Sequence, residues 1–199
     1  MEVQTEQCQT MLPSAMAVFF VTVGTTLFEA LIEAVTTETA LQWMTSNGYK
    51  QLIIQYGKGK KPSVVNQSGR PNIECYDFKP SLLPDMKRAD LIVSHAGAGT
   101  VMEVLQLHHQ DDTVTKAKRL VVVINSILMD NHQTELAEAM GKRKHLFVVE
   151  SPKQLESTST WDQLEDFQPI PKQPGDPLHF KIIMDEFLGV SEGPNKKIK

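Results

Sequence analysis

The residues of this sequence best suited to chemistry lie in Ser94-His95-Ala96-Gly97-Ala98-Gly99-Thr100-Val101-Met102-Glu103. An apolar run, Asp90-Leu91-Ile92-Val93, enters this small-residue stretch, which opens directly into a helical pattern. Glycines let backbone N–H groups approach a ligand, and a helix start offers unpaired donors and partial positive charge to a phosphate. Gly97, Ala98, Gly99 and Thr100 are therefore candidates for holding a phosphate, and His95, at the strand end, is placed for donor chemistry or for a hydrogen bond that fixes the loop. Glu103, one turn on, could accept hydrogen bonds from paired hydroxyls such as those of a ribose. Thr100-x-x-Glu103 is equally a capping box, which needs no ligand.

Gly24-Thr25-Thr26-Leu27-Phe28-Glu29 repeats the arrangement after Val18-Phe19-Phe20-Val21-Thr22-Val23. Gly24 and Thr25 could touch a phosphate, although Thr26-x-x-Glu29 also fits a capping box. A third polar group, Asn131-His132-Gln133, follows Asp130 at the mouth of another helix. Its mixed donors and acceptors suit sugar hydroxyls, while Asp130-x-x-Gln133 again fits a cap. None of these is the GxGxxG of dinucleotide enzymes, and the second strand ends in Gln55-Tyr56-Gly57 where a ribose-binding acid belongs. NAD and FAD are thereby disfavoured, and no cofactor is expected. His108-His109-Gln110-Asp111-Asp112 contains metal-ligand residue types, but it follows the helix expected over 100–107 and reads as a solvated loop, so no metal site is assigned.

Positioning these loops requires strands that alternate with helices. Strands are expected near 18–23, 52–56, 73–78, 90–94, 120–124 and 146–149, with helices between, including 80–88 and 131–140. Wholly apolar strands argue an α/β fold, a Rossmann-like parallel sheet with helices on both faces. Ligands of such sheets bind at the carboxyl ends of the strands. That places the search in loops 24–29, 94–103 and 125–133.

The 199 residues allow one domain and a tail: a leader over 1–17, the sheet domain over 18–150, and 151–199 carrying an amphipathic helix at Phe180 to Leu188. A net charge of −4 argues against nucleic acid as a partner; the basic cluster Lys196-Lys197-Lys199 sits at the end of the chain. Cys8 and Cys75 have neither metal nor redox spacing, which suits a reducing compartment. Met11 to Val23 contains Pro13 and falls short of the roughly 20 apolar residues a spanning helix needs. The expected location is the cytoplasm, with membranes reached through a partner.

Three ordered segments, 20–26, 89–99 and 128–133, together resemble the donor-binding, catalytic subunits of the eukaryotic UDP-N-acetylglucosamine transferases of dolichol-linked oligosaccharide synthesis. These are glycosyltransferase family 28-like and similar to the C-terminal half of GT-B enzymes. The resemblance covers roughly Val18 to Val149. It implies inverting transfer of GlcNAc from UDP-GlcNAc to GlcNAc-diphosphodolichol. It also implies a heterodimer with a membrane-anchored, acceptor-binding subunit at the cytosolic face of the endoplasmic reticulum. Thr25 and Gly97 to Thr100 would hold the diphosphate, Glu103 the ribose, and His132 with Gln133 the GlcNAc. Phe78 and Lys79 would hold the uracil. No catalytic base is assigned within the chain; His95 is the internal candidate, and the resemblance places the base on the partner. The alternative from a different class is a nucleotide-sugar-binding regulatory module without turnover, which would share all three loops.

Overall fold

The computed structural model describes residues 17–110, 118–125 and 131–173, with the side chains of residues 108, 110 and 131–133 outside that description. Residues 1–16 of the expected leader, the helix at Phe180 to Leu188, and Asp130 also lie outside it, while Ala17, assigned to the leader, is the first residue of a strand.

Six strands form one sheet: β1 (Ala17–Thr22), β2 (Tyr49–Gln55), β3 (Asn72–Tyr76), β4 (Leu91–His95), β5 (Arg119–Val123) and β6 (Phe147–Val149). The order is β3-β2-β1-β4-β5-β6, and every adjacent pair is parallel. The expected α/β class is the observed one. Between β1 and β4 the strand order reverses, and the crevice that opens there, outside the strands' carboxyl ends, is the place where such sheets bind ligands.

Because strand side chains alternate between faces, the apolar runs feed two cores. Phe19, Val21, Leu52, Ile54, Val93 and Val121 point to one face, covered by α1 (Glu29–Val35) and α2 (Glu38–Ser46). Phe20, Ile53, Ile92, Leu120 and Val122 point to the other, where α3 (Leu83–Arg88), α4 (Ala98–Gln110) and α5 (Asn131–Lys142) supply Met86, Val101, Val104, Ala137 and Met140. Gly141 brings α5 close to β6: a Cβ there would lie 2.6 Å from Val148 Cγ2.

Residues 151–173, read from sequence as part of a tail, carry a 3-10 turn (Pro152–Glu156) and a helix, α6 (Thr158–Asp166). Leu155, Trp161 and Leu164 are fully buried in the α1–α2 core. Trp161 packs beside Phe19 and Trp43, with ring centroids 6.2 and 5.0 Å away, and its indole N–H donates to the Leu155 carbonyl at 2.7 Å. The Arg119 guanidinium at the start of β5 donates to the Leu164 carbonyl at the end of α6. From there the chain runs along the domain. The His145 imidazole donates from Nδ1 to the Ile170 carbonyl and His109 from Nε2 to the Lys172 carbonyl.

Helix α4 is longer at both ends than the expected 100–107. His108 and His109, read as the start of a polar loop, continue the helix whose Val104, Leu105 and Leu107 are buried.

Candidate functional site

Three strands end side by side in polar residues: Thr22 on β1, Gln55 on β2 and His95 on β4. Thr22 and Gln55 are buried, and their side chains bond each other, Thr22 Oγ1 donating to Gln55 Oε1 at 2.6 Å. The same amide oxygen accepts the Gly24 N–H at 2.8 Å. The amide nitrogen donates to the carbonyls of Gly24 and Asp77, each at 2.7 Å. The sequence noted Gln55 only as the absence of a ribose-binding acid; a polar residue closing the apolar run Leu52-Ile53-Ile54 was the signal that it has work inside.

The β1–α1 turn is left-handed at Gly24, with φ +62°. Gly57, at φ +60°, packs underneath; a Cβ there would stand 2.5 Å from the Thr26 carbonyl oxygen. Thr25 is exposed at the turn. Thr26 is occupied, its hydroxyl donating to the Val23 carbonyl at 2.7 Å. Helix α1 begins only at Glu29, and its N-cap is Phe28, so the expected Thr26-x-x-Glu29 capping box does not form. Glu29 instead accepts the Lys60 N–H at 3.3 Å.

His95 forms the bridge to the second turn. A Cβ on Gly24 would meet its Cε1 at 2.9 Å, and a Cβ on Gly97 would meet its Nε2 at 2.3 Å. The imidazole thus wedges between two glycines, and its Nδ1 is buried without a well-formed hydrogen bond. Burial pushes the ring's pKa below the ordinary histidine value, with the Thr22 carbonyl opposing the shift.

Helix α4 starts at Ala98, with the Val101 N–H donating to the Gly97 carbonyl at 3.0 Å. That is two residues earlier than expected, because Gly97 itself closes the first turn. Thr100 therefore lies inside the helix, and Thr100-x-x-Glu103 is not a capping box. Two things follow for chemistry. The N–H groups of Ala98, Gly99 and Thr100 belong to the first turn, where no intrahelical carbonyl reaches them. Gly99 and Glu103, four apart, share the exposed stripe of the helix, and a Cβ at Gly99 would meet nothing within 4 Å.

Phe78 and Lys79 follow β3. Phe78 is 65% exposed. Lys79 is held: its ammonium lies 2.8 Å from the buried carboxylate of Asp85 and 3.9 Å over the Tyr76 ring. Tyr76 also donates to Asp85, at 2.7 Å; burial and that carboxylate push its phenol pKa up. Asn131, His132 and Gln133 are the first three residues of α5.

The structure thus gathers Gly24, His95 and Gly97 in direct packing and joins the turn after β3 to them through Gln55. The ammonium of Lys79 is not directed freely to the mouth. Among the described residues, no group of three or more His, Cys, Asp or Glu is placed to hold a metal ion, and no helix is long and apolar enough to cross a membrane.

Comparison with known proteins extends the picture. The glycosyltransferase family 28 C-terminal domain model matches residues 18–176. The UDP-N-acetylglucosamine transferase subunit ALG13 of Homo sapiens is 44% identical over 128 residues, 64% of this chain and 10% of that protein. Its namesake from Yarrowia lipolytica is 36% identical over 137 residues, 68% of this chain and 65% of that one. The chain therefore matches only a tenth of the human relative's length. Among solved structures, the NMR solution structure of ALG13 has a TM-score of 0.56 at 22% identity, covering 84% of this chain and 94% of that chain. The crystal structure of Acinetobacter baumannii MurG has a TM-score of 0.51 at 18% identity, covering 86% of this chain and 50% of that one. At such identities these structures speak for the fold alone, and the fold is that of half the MurG chain.

Proposed function

The chain belongs to the glycosyltransferase family 28 C-terminal domain family, and from that premise we propose that it is the donor-binding subunit of a UDP-GlcNAc transferase. The observation that carries this reading is the meeting of two glycine-bearing strand-to-helix turns at the β1–β4 reversal. There the first-turn amides of α4 open beside an unfilled space over Gly99. A diphosphate fits such amides, which supply hydrogen bonds and the positive end of the helix dipole.

In this reading Gly97, Ala98, Gly99 and Thr100 cradle the diphosphate, with Gly24 and the Thr25 hydroxyl on its other side. Glu103 accepts the ribose hydroxyls, and the exposed Phe78 ring stacks on the uracil, with Lys79 fixed behind it by Asp85. Asn131, His132 and Gln133 read the GlcNAc. Leaving-group charge develops on the diphosphate as the sugar departs, and amides fixed in advance stabilise that charge without reorganising. These donors stand in for a divalent cation, so the reaction should persist in EDTA.

The acceptor, GlcNAc-diphosphodolichol, and the catalytic base belong in this proposal to a membrane-anchored partner subunit that brings the chain to the cytosolic face of the endoplasmic reticulum. His95 is wedged between glycines with one nitrogen sequestered, which suits spacing the turns better than taking a proton from an acceptor. The product is a β1,4-linked disaccharide, formed with inversion.

The test separates charge from shape at Glu103. Glutamine keeps the hydrogen-bonding oxygen but loses the charge, and charged hydrogen bonds contribute roughly 1.5–3 kcal/mol against about 1 for neutral ones. Glu103→Gln should leave the melting curve unchanged and weaken UDP-GlcNAc binding by about tenfold. Donor affinity equal to the parent's would remove Glu103 from the site. Transfer to a dolichol-linked acceptor by the purified chain alone would refute the two-subunit reading.

A further inference from the structure

Gln55, the last residue of β2, is 1% exposed. Burying a primary amide is costly unless its donors and acceptor are used. Here they all are, and three of the four bonds reach backbone groups of two separate turns. Oε1 takes the Gly24 N–H at 2.8 Å while Nε2 gives to the Gly24 carbonyl at 2.7 Å, so one side chain grips both sides of a glycine held at φ +62°. The second hydrogen of Nε2 goes to the Asp77 carbonyl at 2.7 Å, in the turn after β3. Thr25 follows Gly24 directly, and Phe78 follows Asp77.

We propose that Gln55 is a positioning residue of the donor site, one buried amide that holds the diphosphate-side turn and the base-side turn at a fixed spacing. A ligand that spans both turns then meets a distance set before it arrives, and loses less freedom on binding than it would between independent loops. This deepens the reading above and rests on it for the placing of diphosphate and base. A side chain that only filled the core would satisfy its own polar atoms without tying two mouth loops together, and the two roles differ in a measurable way. A structural role affects stability and all ligands alike; a spacing role affects chiefly the ligand that bridges.

UDP and uridine are titrated into the full chain and into its Gln55→Glu and Gln55→Leu variants, with a melting curve for each. Gln55→Glu preserves shape but turns an oxygen toward the Gly24 and Asp77 carbonyls, and Gln55→Leu removes all four bonds. In the folded variants, UDP should bind about tenfold more weakly, while uridine, which reaches the base side and Glu103 but lacks the diphosphate that meets the Gly24–Thr25 turn, stays within about twofold of the parent. Unchanged UDP affinity, or equal weakening of both ligands, overturns the proposal. A second measurement needs no variant. Uridine added to the unmutated chain should shift the Gly24 amide resonance together with that of Phe78, because Gln55 links them. A Phe78 shift with Gly24 unmoved overturns the coupling even if both variants fail to fold. If the unmutated chain binds uridine and UDP nowhere, the donor-site reading falls and the proposal with it, a result distinct from loss of coupling alone.

Discussion

At the carboxyl end of the sheet, β1, β2 and β4 finish in Thr22, Gln55 and His95, and the chain turns at Gly24, Gly57 and Gly97. Toward the other end of the same strands, Phe19 and Tyr49 join Trp43 and Trp161 in a run of rings with centroids 5.0 to 6.2 Å apart. Both regions are buried or half-buried, yet they are held differently. In the aromatic region, area and dispersion do the holding, and the rings adapt to small changes. At the polar region each side chain has a directional partner or a glycine against it, so a single added methyl has nowhere to go. The first region stabilises the domain; the second, in the proposed reading, fixes where the donor's groups meet backbone.

The largest effect should come from emptying the aromatic region. Trp161→Ala removes a fully buried indole and its hydrogen bond to Leu155, and should cost about 3–5 kcal/mol in a urea titration. The comparison predicts that the folded fraction still binds UDP-GlcNAc with parental affinity, since α6 lies away from the strand mouths. A loss below about 1 kcal/mol would mean that α6 is dispensable to the core. Gly57→Ala tests the opposite region. At φ +60°, with a Cβ 2.5 Å from the Thr26 carbonyl oxygen, the variant should lose about 2–3 kcal/mol. Here donor affinity should fall as well, because relief requires the Gly24–Thr26 turn to move. If affinity is retained, the turn is not part of the site.

How far these regions could be read from sequence follows from the same difference. The turns were legible because small residues cluster at the ends of apolar strands, a pattern that few other local structures produce. Their detail was not. The helix starts were misplaced because Thr-x-x-Glu spacing imitates a cap, whereas α4 begins at Ala98, two residues before Thr100, and the N-cap of α1 is Phe28, two residues after Thr26. Helix α6 escaped notice because Thr158-Ser-Thr-Trp-Asp-Gln-Leu-Glu-Asp166 has two strongly apolar residues in nine, and its burial rests on one large side chain rather than on a stripe. For Gln55 the local pattern, a polar residue closing an apolar run, signals burial but not the partners 22 and 31 residues away that give the side chain its role.

A smaller effect concerns acid. The pKa of His95 is lowered in the folded chain by burial, so at pH values just below the ordinary histidine value of about 6.5 the unfolded chain binds the proton more readily. Stability is fully present above that pH and declines as pH falls from it toward the lowered folded value. His95→Gln should reduce this acid-side decline relative to the parent when unfolding is followed from pH 8 down to about 5. Parallel curves for the two proteins would show that the ring titrates as freely folded as unfolded, and the wedge would lose its electrostatic meaning.

The smallest effect should be a gain, and it lies at the end of α5 farthest from the strand mouths. The helix stops in a hydrogen-bonded pair of turns: the His145 N–H donates to the Met140 carbonyl at 3.0 Å and the Lys144 N–H to the Gly141 carbonyl at 2.8 Å. This is the Schellman arrangement, and it requires its C′ residue to be left-handed. Glycine usually stands there; this chain has Lys144, at φ 57°. A side chain in that region costs roughly 1–2 kcal/mol of steric strain, and glycine's greater freedom in the unfolded chain returns part of it. Lys144→Gly should therefore stabilise by about 0.5–1 kcal/mol, a rise of about 1–4 °C in Tm for a domain of this size. The Lys144 carbonyl, which accepts the Ile170 N–H at 2.8 Å, is backbone and remains available. UDP-GlcNAc affinity should not change, because nothing at this helix end touches Gly24, Gly97 or Gln55. A variant that melts lower than the parent would show that the lysine side chain contributes more than its backbone strain costs. A variant that melts higher but binds donor differently would break the separation between the site end of the sheet and the rest of the domain.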